Sequence, residues 1–461
     1  MKYFISAIVI ILTFSCNTTT TKTATTYFGG EIINPKSNFV LLLKDDKVID
    51  TLLLDKKSRF LNNYNSLYEG LYTFKHGNEF QYIYLEPADS VLVRLNTWDF
   101  DESLVFSGDG SAKNEFLINL FLQNEKEEKI MHDFFYLNEN DFQKKIATFA
   151  AKKTLLFEEF SKQELNLTEG FKKLTNVAIH FPLYRLKEIY PLFHKKANKL
   201  SGFPTISDKF YAFRSEINLN EENLVAFYPY QNYVISYLYN LSYQLKEEDK
   251  TKDNITLNIL NYTIQQIKSE EFKNTLLKGI IVNDFLKSES TCSVNQKELD
   301  LFLENCTNKQ YRTQVKNLVN DSKFVSNNQP FQSFEVVSHN NIKLPINDII
   351  KGQNSVIYFW STDFMSSDYL VNRIKYLENE YPNMLFIGIN MQNTNEDITK
   401  DPNLKLLDIT KQFKLADKSF AHNYLTSKYP RTIIINYNGI VENGFTYLDS
   451  KKLNSELNKL K

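Results

Sequence analysis

The chain has 461 residues, 42% hydrophobic and 24% charged, with only 13 Gly and 11 Pro. This is a globular composition, too poor in Gly and Pro for a collagenous or low-complexity protein, and long enough for two to four domains. Lys plus Arg number 54 against 55 Asp plus Glu, so no global field favours nucleic acid or an anionic membrane.

In chain order, Lys2 is followed by an apolar run from Tyr3 to Phe14, shorter than the ~20 residues that span a bilayer. It reads as the apolar region of a secretory signal. The run closes on Phe14-Ser15-Cys16, and a Thr-rich stretch follows. This resembles a bacterial lipoprotein signal, which implies a signal peptide over residues 1–16 with Cys16 as the lipid-bearing residue. Residues 17–26 fit a tether, because a segment so poor in apolar side chains cannot offset its own ordering entropy. The resemblance implies a membrane-anchored protein of the cell envelope facing the periplasm, with inner or outer membrane left open.

Residues 27–112 are a strand region. Val40–Leu43, Val48–Leu54, Gly70–Phe74, Phe80–Leu85, Val91–Leu95 and Leu104–Phe106 are short, β-branched or aromatic, and separated by turn residues. That spacing predicts an antiparallel β-sandwich. The stretches Tyr84–Val91 and Phe106–Asn114 resemble the small amino-terminal β domain of thioredoxin-like lipoproteins of Bacteroidota, a domain with no assigned chemistry.

Residues 113–326 are expected to form a helical middle domain, since Ile146, Phe149, Ala150, Phe157 and Phe160 recur at helical spacing. No repeat of 20 to 50 residues is present, which argues against a solenoid. Cys292 and Cys306 flank a helical pattern. A helix there holds the sulfurs roughly 15 to 20 Å apart, whereas a disulfide needs Cα atoms within about 7 Å.

Residues 327–461 carry the clearest pattern. A hairpin at Phe334–Leu344 is followed by a buried strand Ser355–Trp360, the loop Ser361–Asp368, and a helix with Leu370, Ile374 and Leu377 on one face. Then come a strand Met384–Ile389, a helical stretch Ala416–Leu425, the turn Lys428–Arg431, a strand Thr432–Asn436, a last strand and a terminal helix. The order, with "Phe-Trp-Ser-Thr" and "Tyr-Pro-Arg-Thr-Ile-Ile-Ile-Asn-Tyr-Asn-Gly", resembles the thioredoxin fold. The fold class is therefore multidomain α+β: an amino-terminal β-sandwich, a helical middle and a carboxy-terminal thioredoxin-like α/β domain.

The resemblance implies a Trp-Cys-x-x-Cys motif where the helix begins, its first thiol activated by the helix end. Aligned without gaps, the tryptophan falls on Asp363, the attacking cysteine on Phe364 and the resolving cysteine on Ser367. Neither Phe364 nor Ser367 can carry thiol exchange, so no catalytic residue is assigned. The former active-site region comprises Trp360, Asp363, Phe364, Ser367, Tyr429 and Pro430. Thr362 or Asp363 is expected to cap the helix, and Tyr429-Pro430 either constrains folding or presents a peptide edge to a partner. The six histidines lack zinc spacing, and no phosphate loop, nucleophile elbow or dinucleotide fingerprint occurs; neither metal nor cofactor is expected. The reading is a noncatalytic envelope protein that binds another envelope protein or an extended peptide. Two rivals stand beside it: a thiol-disulfide oxidoreductase acting through Cys292 or Cys306, and a helical ligand-binding block joined to a dimerisation module.

Overall fold

The computed structural model describes residues 25–252, 254–288, 295–362, 365–391, 401–422 and 431–461. The chain packs as two compact units: residues 25–129 with Lys153–Ala178, and Ile130–Lys152 with Ile179–Lys461. The unit boundaries fall inside three helices, Ser111–Met131, Glu139–Gln163 and Glu169–Ala197. Among the described residues no helix is long and apolar enough to cross a membrane.

In the first unit, eight strands make two four-stranded sheets. One has β4 (Arg59–Tyr64), β1 (Thr26–Ile33), β7 (Ser90–Asn96) and β8 (Val105–Ser107) in that order; the other has β3 (Lys47–Leu53), β2 (Phe39–Lys44), β5 (Gly70–His76) and β6 (Glu79–Leu85). Phe28, Val40, Phe74, Ile83 and Val91 fill the space between them, all at 0% exposure. The sandwich is not wholly antiparallel: β1 and β7 pair in parallel from Tyr27↔Ser90 to Ile33↔Asn96. A parallel pair needs a long crossover, and β2, β5 and β6 of the opposite sheet provide it. Two glycines let β1 sit centrally, since a Cβ on Gly30 would lie 2.1 Å from the Val93 carbonyl oxygen. Thr26, the last residue of the stretch expected to be tether, is buried in β1.

The two motifs that carried the amino-terminal resemblance meet each other. Asn114, in the first turn of α1 (Ser111–Met131), accepts from Tyr84 N at 2.7 Å and donates to Tyr84 O at 2.9 Å and Gly110 O at 3.0 Å. Lys113 Nζ lies 2.7 Å from Glu86 and 3.5 Å from Asp89. Their work is to clasp helix to sandwich. Deeper in the unit, Lys153 is 1% exposed; its Nζ meets Glu127 at 2.6 Å and Asn124 at 2.5 Å.

The helices α2 (Glu139–Gln163) and α3 (Glu169–Ala197) lead into α4 (Tyr228–Glu248), α5 (Ile255–Gln266), α6 (Glu270–Ser288), α7 (Gln296–Asn305) and α8 (Lys309–Phe324). Aromatic rings fill the core of the second unit's first part, where Ile146 of the expected stripe is also buried: Phe142 sits 4.3 Å from Tyr190 and 6.1 Å from Phe210 between ring centroids. The buried carboxylate of Glu188 is matched by Arg214, whose Nε donates at 2.9 Å, and by Asn240 at 2.8 Å.

The rest of the second unit is a seven-stranded sheet in the order β10 (Lys343–Pro345), β9 (Glu335–Ser338), β13 (Gln412–Leu415), β12 (Leu385–Asn390), β11 (Ser355–Trp360), β14 (Arg431–Ile435), β15 (Val441–Tyr447). β11 and β12 run parallel, joined by α10 (Ser367–Glu380); β14 is antiparallel to β11 and β15 to β14. This is the thioredoxin arrangement, with β13 and the β9–β10 hairpin added beyond β12. The short helices α9 (Ile346–Ile350) and α11 (Leu453–Leu457) complete it. The incoming chain pairs with the first residue of β15: Asn328 N donates to Val441 O at 2.7 Å and Val441 N to Gln329 O at 2.9 Å. Phe285 of α6 packs on Phe445 of β15 at 5.4 Å. One expected element differs: over residues 416–422 the chain forms turns and a single 3-10 turn instead of an α-helix, and the remainder of Ala416–Leu425 lies outside the described residues.

Candidate functional site

The site the sequence points to lies at the carboxy-terminal end of β11, where a thioredoxin-like sheet presents its chemistry. All six residues of β11 are buried, because it is flanked by strands on both sides. Ile357 and Phe359 enter one core layer, while Val356, Tyr358 and Trp360 enter the layer beneath α10. A continuous apolar strand of this kind is what a sheet covered on both faces demands.

Trp360 is fully buried, so its indole belongs to the base of the site and not to its surface. Its Nε1 donates to Gln412 Oε1 at 3.1 Å, and Gln412 Nε2 donates to the Tyr358 hydroxyl at 2.9 Å. One amide from β13 thus satisfies two aromatic polar groups from β11, across β12. The crossing is possible because β12 has Gly388 there: a Cβ would lie 2.1 Å from Gln412 Oε1 and 2.8 Å from the Tyr358 hydroxyl. Burial pushes the Tyr358 phenol well above its ordinary pKa, so it stays neutral and serves as a structural group.

Beyond Trp360 the chain turns through Ser361 and Thr362, with Met365 N donating to Ser361 O at 3.2 Å. The helix cap is Ser366 and neither of the two residues expected. Ser366 has extended backbone (φ −64°, ψ 143°), and its side chain accepts from Tyr369 N at 3.3 Å. The loop is therefore longer than the ungapped alignment assumes. Ser367 opens the helix, with Asn403 Nδ2 donating to its hydroxyl at 3.4 Å. On the neighbouring strand, Arg431 is 1% exposed and donates through Nε and Nη2 to Gly444 O at 3.2 and 2.8 Å. Its guanidinium lies 5.1 Å from the Phe445 ring centre, which fixes a positive charge in the base.

Of the residues predicted from sequence, Trp360 and Ser367 are placed at this edge. Asp363, Phe364, Tyr429 and Pro430 lie outside the described residues, as do Cys16 and Cys292. Cys306 is fully buried as the residue that ends α7. Its Sγ is 3.9 Å from Asn308 O, and burial raises the thiol pKa, the opposite of what a reactive cysteine needs. Sequence reasoning missed Gln412 and Tyr358; the available signal was a lone glycine inside a buried strand pattern, which marks a close approach. Among the described residues no three His, Cys, Asp or Glu side chains are grouped to hold a metal.

No family model matches the sequence, and no curated protein matches it. Among solved structures, a protein of Bacteroides vulgatus described as a thiol-disulfide oxidoreductase is 16% identical with a TM-score of 0.25, over 30% of this chain and 98% of the other. A protein of Chlorobium tepidum described as thiol:disulfide interchange protein DsbE gives 14%, 0.25, 30% and 98% in the same order. A solution structure from Bacteroides vulgatus, also described as a thiol-disulfide oxidoreductase, gives 23%, 0.24, 29% and 89%.

Proposed function

We propose that this protein is a noncatalytic lipoprotein of the cell envelope whose thioredoxin-like domain has lost thiol exchange and holds an envelope protein or an extended peptide at the former active-site face. The observation that carries the reading is the absence of sulfur chemistry where the fold would place it. The chain has three cysteines, Cys16, Cys292 and Cys306, so residues 327–461 contain none. At the start of α10 the hydroxyls of Ser366 and Ser367 stand instead, and an alcohol cannot form the mixed disulfide through which exchange proceeds.

The burial of Cys306 counts against the oxidoreductase reading, which needs an accessible thiolate. Purified protein lacking residues 1–15 is expected to reduce insulin disulfides no faster than a blank at pH 7. A rate above the blank that disappears in Cys292→Ser or Cys306→Ser overturns the noncatalytic reading. Anchoring is tested separately in the full chain. Cys16→Ser is expected to move the protein from the detergent phase to the soluble fraction, since acyl chains contribute about 0.8 kcal/mol per buried CH₂; unchanged partitioning refutes lipid attachment at Cys16.

A further inference from the structure

We propose that the end of the first unit where the chain enters is a membrane-contact face, with the side chains of Tyr68 and Leu165 set into the headgroup layer of the bilayer. The inference rests on the lipid anchor at Cys16 proposed above and names the surface that the anchor brings to the membrane. Thr25 lies nine residues after Cys16, and a chain of that length reaches at most about 30 Å.

Three turns meet at the entry. Thr25 Oγ1 donates to Asn65 Oδ1 at 2.9 Å in the β4–β5 turn, and Thr26 Oγ1 donates to Glu86 O at 3.0 Å in the β6–β7 turn. The α2–α3 turn joins them through Thr168, whose Oγ1 donates to Glu86 Oε1 at 3.0 Å. Tyr84 ties the first turn to the third: its hydroxyl donates to Glu69 Oε1 at 2.6 Å, and its ring centre lies 5.3 Å from that of Phe171 on α3.

Two of these turns bury one apolar side chain and expose another close by. Leu67 is buried while Tyr68 is 81% exposed, and Leu167 is buried while Leu165 is 84% exposed. Among the described residues Leu165 and Tyr68 are the two most exposed large hydrophobic side chains. Single exposed apolar residues are ordinary on a protein surface; what marks this pair is that both flank the point where the tether ends. Tyr27, the second residue of β1, adds a third exposed ring beside them. Tyrosine rings favour the headgroup level of a bilayer, and aliphatic side chains enter the acyl boundary below it. Charges at this end are matched, Lys113 by Glu86 and Asp89, and Lys172 by Glu169 at 2.7 Å. The contact is therefore apolar and needs no anionic lipid. A tether keeps the unit at high effective concentration near the bilayer, so a contact too weak to bind from solution is occupied. Trp98 follows β7 at the far end of the parallel β1–β7 pair, about 20 Å from the entry.

Tryptophan quenching by brominated lipid tests this face. The full chain, expressed with its own signal and purified from membranes, is reconstituted in phosphatidylcholine vesicles with plain or brominated acyl chains, and flotation is scored in the same samples. In Tyr68→Trp and in Leu165→Trp, the emission added by the new indole is expected to fall at least about twofold on brominated lipid, because apolar side chains in this layer lie about 5–10 Å into the boundary. The parent should lose little, with Trp98 at the far end and Trp360 buried. Both substituted positions are exposed, so neither change disturbs packing. Protein that floats with either new indole unquenched overturns the membrane face and leaves the anchor standing, and so does a parent quenched as strongly as the variants. Protein that does not float overturns the anchor and this face with it.

Discussion

Replacing Gln412 by Leu is the sharpest test of how the base of the site is held. Leu roughly keeps the volume but can neither accept from Trp360 nor donate to Tyr358, and both of those side chains are at 0% exposure. A buried polar group stripped of its partner costs about 1–3 kcal/mol, so two give a loss of about 2–6 kcal/mol. Tyr358→Phe added to Gln412→Leu removes one orphan and should recover about 1–3 kcal/mol of it. The chain supplies its own probe, for it has two tryptophans, Trp98 and Trp360. Trp98 is 73% exposed in the first unit, so a Trp98→Phe background leaves Trp360 reporting on the second unit alone. Urea melts followed by its fluorescence measure the differences. A Gln412→Leu variant within about 0.5 kcal/mol of its parent, the range of an inconsequential surface change, would refute the network. So would a double variant as unstable as the single.

Two further stability tests concern other parts of the chain. Lys153→Ala should cost about 3–5 kcal/mol by leaving Glu127 charged and unmatched in the first unit, while Lys153→Met with Glu127→Leu should be close to neutral; thermal melts that rank the double below the single would contradict this. Ser366→Ala should lower second-unit stability by about 1 kcal/mol, and Ser366→Asp should be tolerated because it still caps; equal melts for Ala and Asp would remove the cap.

Six of the eight sandwich strands are legible from alternation and turn residues, and the two that are not have physical reasons. β1 carries Gly29-Gly30, which reads as a break, yet the pair exists because neighbouring backbones approach where a Cβ would be. β4 is Arg-Phe-Leu-Asn-Asn-Tyr with only Phe60 buried, too polar to stand out as a strand. In the thioredoxin-like part β11, α10 and the β14–β15 pair are legible because they are uniformly buried or periodic. β13 is four residues long and begins with a buried glutamine, so neither length nor hydrophobicity marks it. The site shows the same division. That residues 327–461 contain no cysteine is a matter of residue identity and is read directly. The cap depends on loop length, which an ungapped alignment cannot supply, and the Trp360–Gln412–Tyr358 link joins residues 52 and 54 positions apart.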